Sequence, residues 1–100
     1  MEMTTLWLVW ASHGNTALRN RVEAALRNGE PSEMTIEEMY RLRFVPEEQY
    51  VYVFPYSEES KYSRRIIPAR FSYRAVENLM HGNMDDLMDE DIQWLPQSTS

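Results

Sequence analysis

Breaker and turn residues cut this chain into pieces too short for any long helix or long strand. SHGN at 12–15, Gly29 to Pro31, Pro46, PYSEES at 55–60, Pro68, Gly82 and Pro96 punctuate the sequence. Glycines supply backbone freedom at such points, and prolines lack the N–H that would continue a ladder. One hundred residues divided in this way make one compact domain with a single modest core. At 43% hydrophobic and 26% charged residues the composition is that of a globular chain. No apolar run approaches the ~18 residues needed to cross a membrane. The first ten residues lack the basic start of a secretory signal. With no Cys there is no disulfide framework, zinc knuckle or thiol nucleophile. The expectation is a soluble, cytoplasmic protein.

Residues 5–11, TLWLVWA, are apolar throughout and rich in β-branched and aromatic side chains. Length and content predict a central strand. Asn15 or Ser12 can cap a helix starting at Thr16, and Leu18, Val22, Ala25 and Leu26 recur at helical spacing until Gly29 and Pro31 end it. Thr35-Ile36-Glu37-Glu38 has the form of a capping box. It predicts a short helix with Ile36, Met39, Tyr40 and Leu42 inward. QYVYVF at 49–54 alternates and predicts a strand, with YSRRIIPARF at 62–71 as its hairpin partner and Pro68 at an edge or bulge. Ser72 caps a helix over 73–81 that Gly82 closes. A further short helix is expected at 84–89, and IQWL at 92–95 reads as a last strand or an apolar strap. The order β-α-α-β-β-α is that of an α+β fold. It implies a small antiparallel sheet of about three strands, with two to four helices packed on it. The domain spans 1–96, and 97–100 is a disordered tail. Trp7, Trp10 and Phe54 fall in apolar runs and are assigned to the core.

Catalytic patterns are missing. Ser12-His13-Gly14-Asn15 has one Gly and matches no nucleotide-binding loop. A Ser–His nucleophile pair needs the imidazole across the site and a third orienting group. HGNMDDLMDEDI at 81–92 places carboxylates after His81 without the residue order of a calcium loop. The doublets Glu37-Glu38, Glu47-Glu48, Glu58-Glu59 and Asp85-Asp86 stand in polar contexts where both members ionise, unlike an acid/base pair. The sequence therefore reads as non-enzymatic, with no cofactor and no metal.

Charge, by contrast, is laid out in blocks within a net charge of −6. Residues 1–29 carry +1, 30–60 carry −6, 61–76 carry +5 and 77–100 carry −6. A block of one sign repels itself unless it faces charge of the other sign. The basic block mixes Arg64, Arg65 and Arg70 with Tyr62 and Phe71, the ingredients of a single-strand binder. One reading is thus a small interaction module, or a subunit of a larger assembly, that binds through this surface, nucleic acid included. The acidic blocks carry the leading reading. If 84–89 is helical, Asp85 and Asp89 stand about 6 Å apart on one face, as do Asp86 and Glu90, close to every second phosphate of a DNA strand. Glu30, Glu33, Glu37, Glu38, Asp85, Asp86, Asp89, Glu90 and Asp91 are the candidate partner-binding residues.

In size, acidity, lack of Cys and lack of an enzyme motif, the chain resembles the small phage-encoded inhibitors of bacterial defence. These include DNA-mimic anti-CRISPR and anti-restriction proteins. The acidic runs EMTIEEM at 33–39 and MDDLMDEDI at 84–92 carry the likeness; the basic block and the modest net charge depart from the most extreme mimics. The resemblance implies an inhibitor whose acidic surface blocks a basic nucleic-acid-binding site on its target. That target would be a nucleic-acid-handling protein or complex, such as a CRISPR surveillance complex or a restriction enzyme, in the host cell's cytoplasm. Direct nucleic-acid contact and membrane contact are not expected, and the protein would be a monomer or a homodimer.

Overall fold

The computed structural model describes residues 3–57, 59, 64–82 and 91–95. Two helices, α1 (Leu6–His13) and α2 (Thr16–Arg27), precede four strands, β1 (Ser32–Ile36), β2 (Tyr40–Val45), β3 (Tyr50–Pro55) and β4 (Ala69–Ser72). Helix α3 (Tyr73–Met80) and strand β5 (Ile92–Trp94) complete the described elements. The strands form one sheet in the order β1-β2-β3-β4-β5, every neighbouring pair antiparallel. The class is α+β, with five strands among the described residues rather than about three.

Both caps expected from the sequence form. Asn15 Oδ1 accepts from the Leu18 N–H at 2.9 Å and opens α2. Ser72 Oγ accepts from the Ala75 N–H at 3.0 Å and opens α3. Each satisfies a donor that a helix start leaves unpaired. The left-handed residue after α3 is Gly82, at φ 79°, where a residue without Cβ is strain-free.

Three segments differ from expectation. Residues 5–11 lie mainly in α1, not in a strand. A run apolar throughout has no period, so its pattern cannot separate a buried strand from a buried helix. Packing decides it. Trp7, Leu8 and Ala11 enter the core, and Trp7 meets Phe71 edge-on at 6.0 Å. Thr4 anchors the chain just before α1. Its Oγ1 donates to the Ile67 carbonyl and accepts from the Ile67 N–H, both at 2.9 Å, while the Met3 N–H bonds the Arg65 carbonyl.

The expected helix over Ile36–Leu42 is instead the β1–β2 hairpin, with Ile36 opposite Tyr40. Tyr40, Leu42 and Phe44 are fully buried, and residues spaced by two reach one side only in a strand. Burying each is worth roughly 1.5–3 kcal/mol, more than the ~1 kcal/mol of a cap. Glu37 and Glu38 form the turn, both left-handed at φ 53°, and the Met39 N–H closes it on the Ile36 carbonyl at 2.9 Å. Of the strand expected at 62–71, residues 62 and 63 lie outside the described residues, and from 64 on only Ala69–Ser72 is strand. The Pro68 carbonyl accepts from Leu95, but Pro has no N–H to extend the ladder. The helix expected at 84–89 and the tail at 97–100 lie outside the described residues.

The helices cover one face of the sheet. Leu42, Phe44, Val51, Val53 and Phe71 from the strands pack with Trp7, Leu18, Val22, Val76 and Met80. Phe54, expected in this core, belongs to the opposite face, because Val51 and Val53 take the inward positions of β3. None of the helices is long and apolar enough to cross a membrane, among the described residues.

Candidate functional site

A groove of about 990 Å³ opens where the end of α1, the tip of the β1–β2 hairpin and the chain after β3 meet. Val9, Trp10, Met39 and Tyr56 supply its apolar lining, and Glu37, Glu38 and Glu59 supply three carboxylates. Each part arises from local folding. Trp10 is steadied edge-on against Tyr40 at 5.9 Å and 81°. The Tyr56 N–H donates to the Met39 carbonyl at 2.9 Å, which ties the chain after β3 to the turn. Val9 is left 49% exposed, because its neighbours in α1 take the core positions. Burial pushes the Tyr40 phenol up to about 12, so this support is a neutral hydrogen-bond donor, and it donates to the Met3 carbonyl. Aromatic faces beside ionised carboxylates can hold a cation both by its charge and over a ring.

The other expected partner-binding acids fall elsewhere. Glu30 is exposed between α2 and β1, and its N–H bonds Asn28 Oδ1. Glu33 points from β1 to the open side of the sheet, 2.9 Å from Arg41 Nε and 4.0 Å from Arg43 Nε. Asp91 is only 5% exposed. It accepts from Ser72 Oγ at 2.8 Å and lies 4.0 Å from Arg74 Nη1, so it supports the start of α3 rather than an outward acidic face. Asp85, Asp86, Asp89 and Glu90 lie outside the described residues. Among the described residues the acids thus do not form one surface: Glu37 and Glu38 share the groove, and Glu33 and Asp91 are engaged within the fold.

The basic block is likewise divided. Arg64 and Arg65 are exposed in a turn, Tyr62 is outside the described residues, and Phe71 is fully buried rather than on a binding surface. Phe71 alternates with Arg70 on β4, and the sheet's register sends the two to opposite faces. Arg70 stays on the uncovered face, where its Nε donates to Gln93 Oε1 at 2.7 Å and its guanidinium stands 4.3 Å over the Tyr50 ring. The hydrogen bond to the Tyr52 hydroxyl holds Arg70 above its usual value.

The two histidines have ordinary surroundings. The Gly14 and Asn15 N–H groups both bond the Trp10 carbonyl, so the SHGN turn is not an anion-binding loop. His81 Nδ1 lies 3.2 Å from Arg19 Nη2 and accepts from that guanidinium. Among the described residues no three His, Asp or Glu side chains converge on a common point.

Reading the sequence missed Trp10, Met39 and Tyr56 as site residues, since three separate elements bring them together. It also missed Arg41, Arg43, Tyr50, Tyr52 and Phe54 on the uncovered face. The alternation in YRLRFV and YVYVFP was the available signal. No protein-family model, curated protein or solved structure matches this chain.

Proposed function

We propose that this is a non-enzymatic binding protein that offers the carboxylate-edged groove to a basic element of a nucleic-acid-handling partner and inhibits it, in the manner of the anti-defence proteins it resembles. The observation that carries the reading is the turn. Glu37 and Glu38 are both left-handed, which costs an L-residue about 1–2 kcal/mol each. Gly or Asn would fit there without that cost. Two acids kept in an unfavourable conformation, beside Trp10, Tyr56 and Glu59, fit a site retained for what it binds. The carboxylates are clustered rather than spaced as a ladder, so the reading favours a grip on one or two Arg or Lys side chains in the partner's binding channel. Charge complementarity then steers the encounter as well as holding it.

Tagged wild-type protein and the Glu37→Lys/Glu38→Lys variant, each incubated with bacterial lysate across a salt series, test this. The wild type is expected to retain a basic nucleic-acid-binding protein that elutes as salt rises, and to suppress that protein's activity on nucleic acid. The variant is expected to do neither. Equal retention by both, or retention without suppression, overturns the reading.

A further inference from the structure

The side of the sheet away from the helices has an organisation of its own. Alternation along the strands puts Arg41 and Arg43 of β2, Tyr50, Tyr52 and Phe54 of β3, and Arg70 of β4 on this side, opposite the buried residues of the same strands. The register sets Arg41 beside Phe54, and Arg43 beside Tyr52, with Arg70 on the far side of Tyr52. A row of three rings therefore runs down the middle strand with guanidinium groups on both flanks. The Tyr52 and Phe54 rings are near-parallel, 9° apart with centroids at 6.3 Å. Arg41 and Arg43 have side chains 54% and 66% exposed, and stand roughly 7 Å apart by strand geometry. A hollow of about 230 Å³ lies between Glu33, Arg41, Arg43 and Phe54.

A water-facing sheet side ordinarily carries polar side chains. Tyr50, Tyr52 and Phe54 are half-buried there, and the Arg70 guanidinium lies over the Tyr50 ring, so Tyr52 and Phe54 are the rings left to take a stacked partner. Helices α1, α2 and α3 all pack against the other side, so none of the three covers the rings. Glu33 reaches both Arg41 and Arg43, so this guanidinium pair already holds one carboxylate.

From this juxtaposition we propose that the uncovered sheet face binds single-stranded nucleic acid, with unpaired bases stacking on Tyr52 and Phe54 and phosphates meeting Arg41 and Arg43. This departs from the expectation of no direct nucleic-acid contact and takes up the nucleic-acid alternative on a different surface from the one the sequence suggested. Stacking platforms flanked by cations are how proteins hold single strands with little sequence preference. A duplex keeps its base faces stacked on one another and has none to offer the rings. A second copy of this chain is a poor occupant, because it would set guanidinium rows against guanidinium rows. An acidic protein would satisfy the arginines and leave the rings unused. The net acidity weakens binding, and Glu48, which accepts from the Tyr52 hydroxyl at 2.6 Å, adds to it here, whereas Glu37, Glu38 and Glu59 belong to the groove rather than to this face. Beyond about 8–10 Å their repulsion is screened at physiological salt. Glu33 competes with phosphate for the same guanidinium groups, which makes it an internal brake.

Fluorescence anisotropy with the full chain and labelled 12-nucleotide oligo-dT or oligo-U, set against a duplex of equal length over a salt series, tests the proposal. The single strands are expected to bind more tightly than the duplex, with a log–log salt slope of about −1.4 for two phosphates engaged. Tyr52→Ala should weaken binding about tenfold and leave the slope in place, while Tyr52→Phe, which keeps the ring, should restore it. Arg41→Gln/Arg43→Gln should weaken binding and flatten the slope. Glu33→Gln should tighten binding, and this gain of function cannot come from misfolding. Binding that is absent, that prefers duplex, or that ignores both ring and arginine loss overturns the proposal. So does tighter binding of polyglutamate that depends on the arginines and not on the rings.

Discussion

The β1–β2 hairpin uses its acids in two opposite ways within six residues. Glu33 stands on the strand with Arg41 and Arg43 diagonal to it or opposite, and its carboxylate is engaged by both. Glu37 and Glu38 stand at the turn, form no ion pair with a described residue, and edge a groove floored by Trp10 and Met39. All three belong to one block of −6 in the sequence, so composition treats them alike. Position in the register separates them. An acid on a strand meets whatever its neighbour strand carries, and an acid at a tip meets solvent or a partner. The molecule thus carries carboxylates at one end and guanidinium groups on one face, and the same hairpin contributes to both.

The sharpest way to break this division is to test the two sides of the sheet for stability. Phe71→Ala opens the core and should cost about 3–5 kcal/mol. Phe54→Ala, on the uncovered face, should cost about 1 kcal/mol through its lost ring partner. Urea denaturation of the two variants measures both, and equal losses would mean that the rings on β3 are not a separate surface.

Tyr40 lies where the two regions share a foundation, with Trp10 of the groove against its ring and Arg41 of the open face next in the chain. Its phenol ionises at about 12 in the folded protein against 10.0 for an unperturbed tyrosine. Above pH 10 the unfolded chain has given up this proton and the folded one has kept it. Stability should therefore fall as pH rises from 10 to 12, by about 1.4 kcal/mol per unit, the contribution being fully present and independent of pH below 10. Tyr40→Phe should remove that slope in denaturation curves taken at successive alkaline pH values.

A smaller effect sharpens the reading of the tip. Glu37→Asn/Glu38→Gly supplies the residues that a left-handed two-residue turn prefers. It should raise stability by about 2 kcal/mol, the relieved strain less the chain entropy that Gly costs, and the melting temperature by roughly 8–16 °C, while partner retention is lost. A variant that is more stable and still retains the partner would separate the strain from the binding.

What was legible in the sequence is what local chemistry decides alone. Helices α2 and α3 announce themselves through Asn15 and Ser72, which each need only a backbone N–H three residues on. Strand β3 shows in its alternation. The segments that misled are those where two local patterns compete. Thr35 to Glu38 satisfies a capping motif, and Tyr40, Leu42 and Phe44 satisfy a strand. Only the rest of the core, absent from the local sequence, settles which is buried. That one misreading hid Arg41 and Arg43, whose shared face exists only in an extended chain. Glu37 and Glu38 were legible as candidate contacts from charge, but the groove beside them was not, because Trp10 and Tyr56 reach it from distant elements. Asp91 reads from the sequence as one of the partner-binding acids, whereas in the fold it is held by Ser72, nineteen residues earlier in the chain.

The clasp at Thr4 has a consequence for the order in which the protein acquires its shape. Its two hydrogen bonds join the fourth residue to the sixty-seventh. During synthesis the leading helices leave the ribosome first, yet this fastening has to wait until Ile67 has emerged, several seconds later at about 5–20 residues per second. Until then α1 lacks its anchor at 65–67 and β4, against which it packs, and its apolar side is open to whatever the cell places beside the nascent chain.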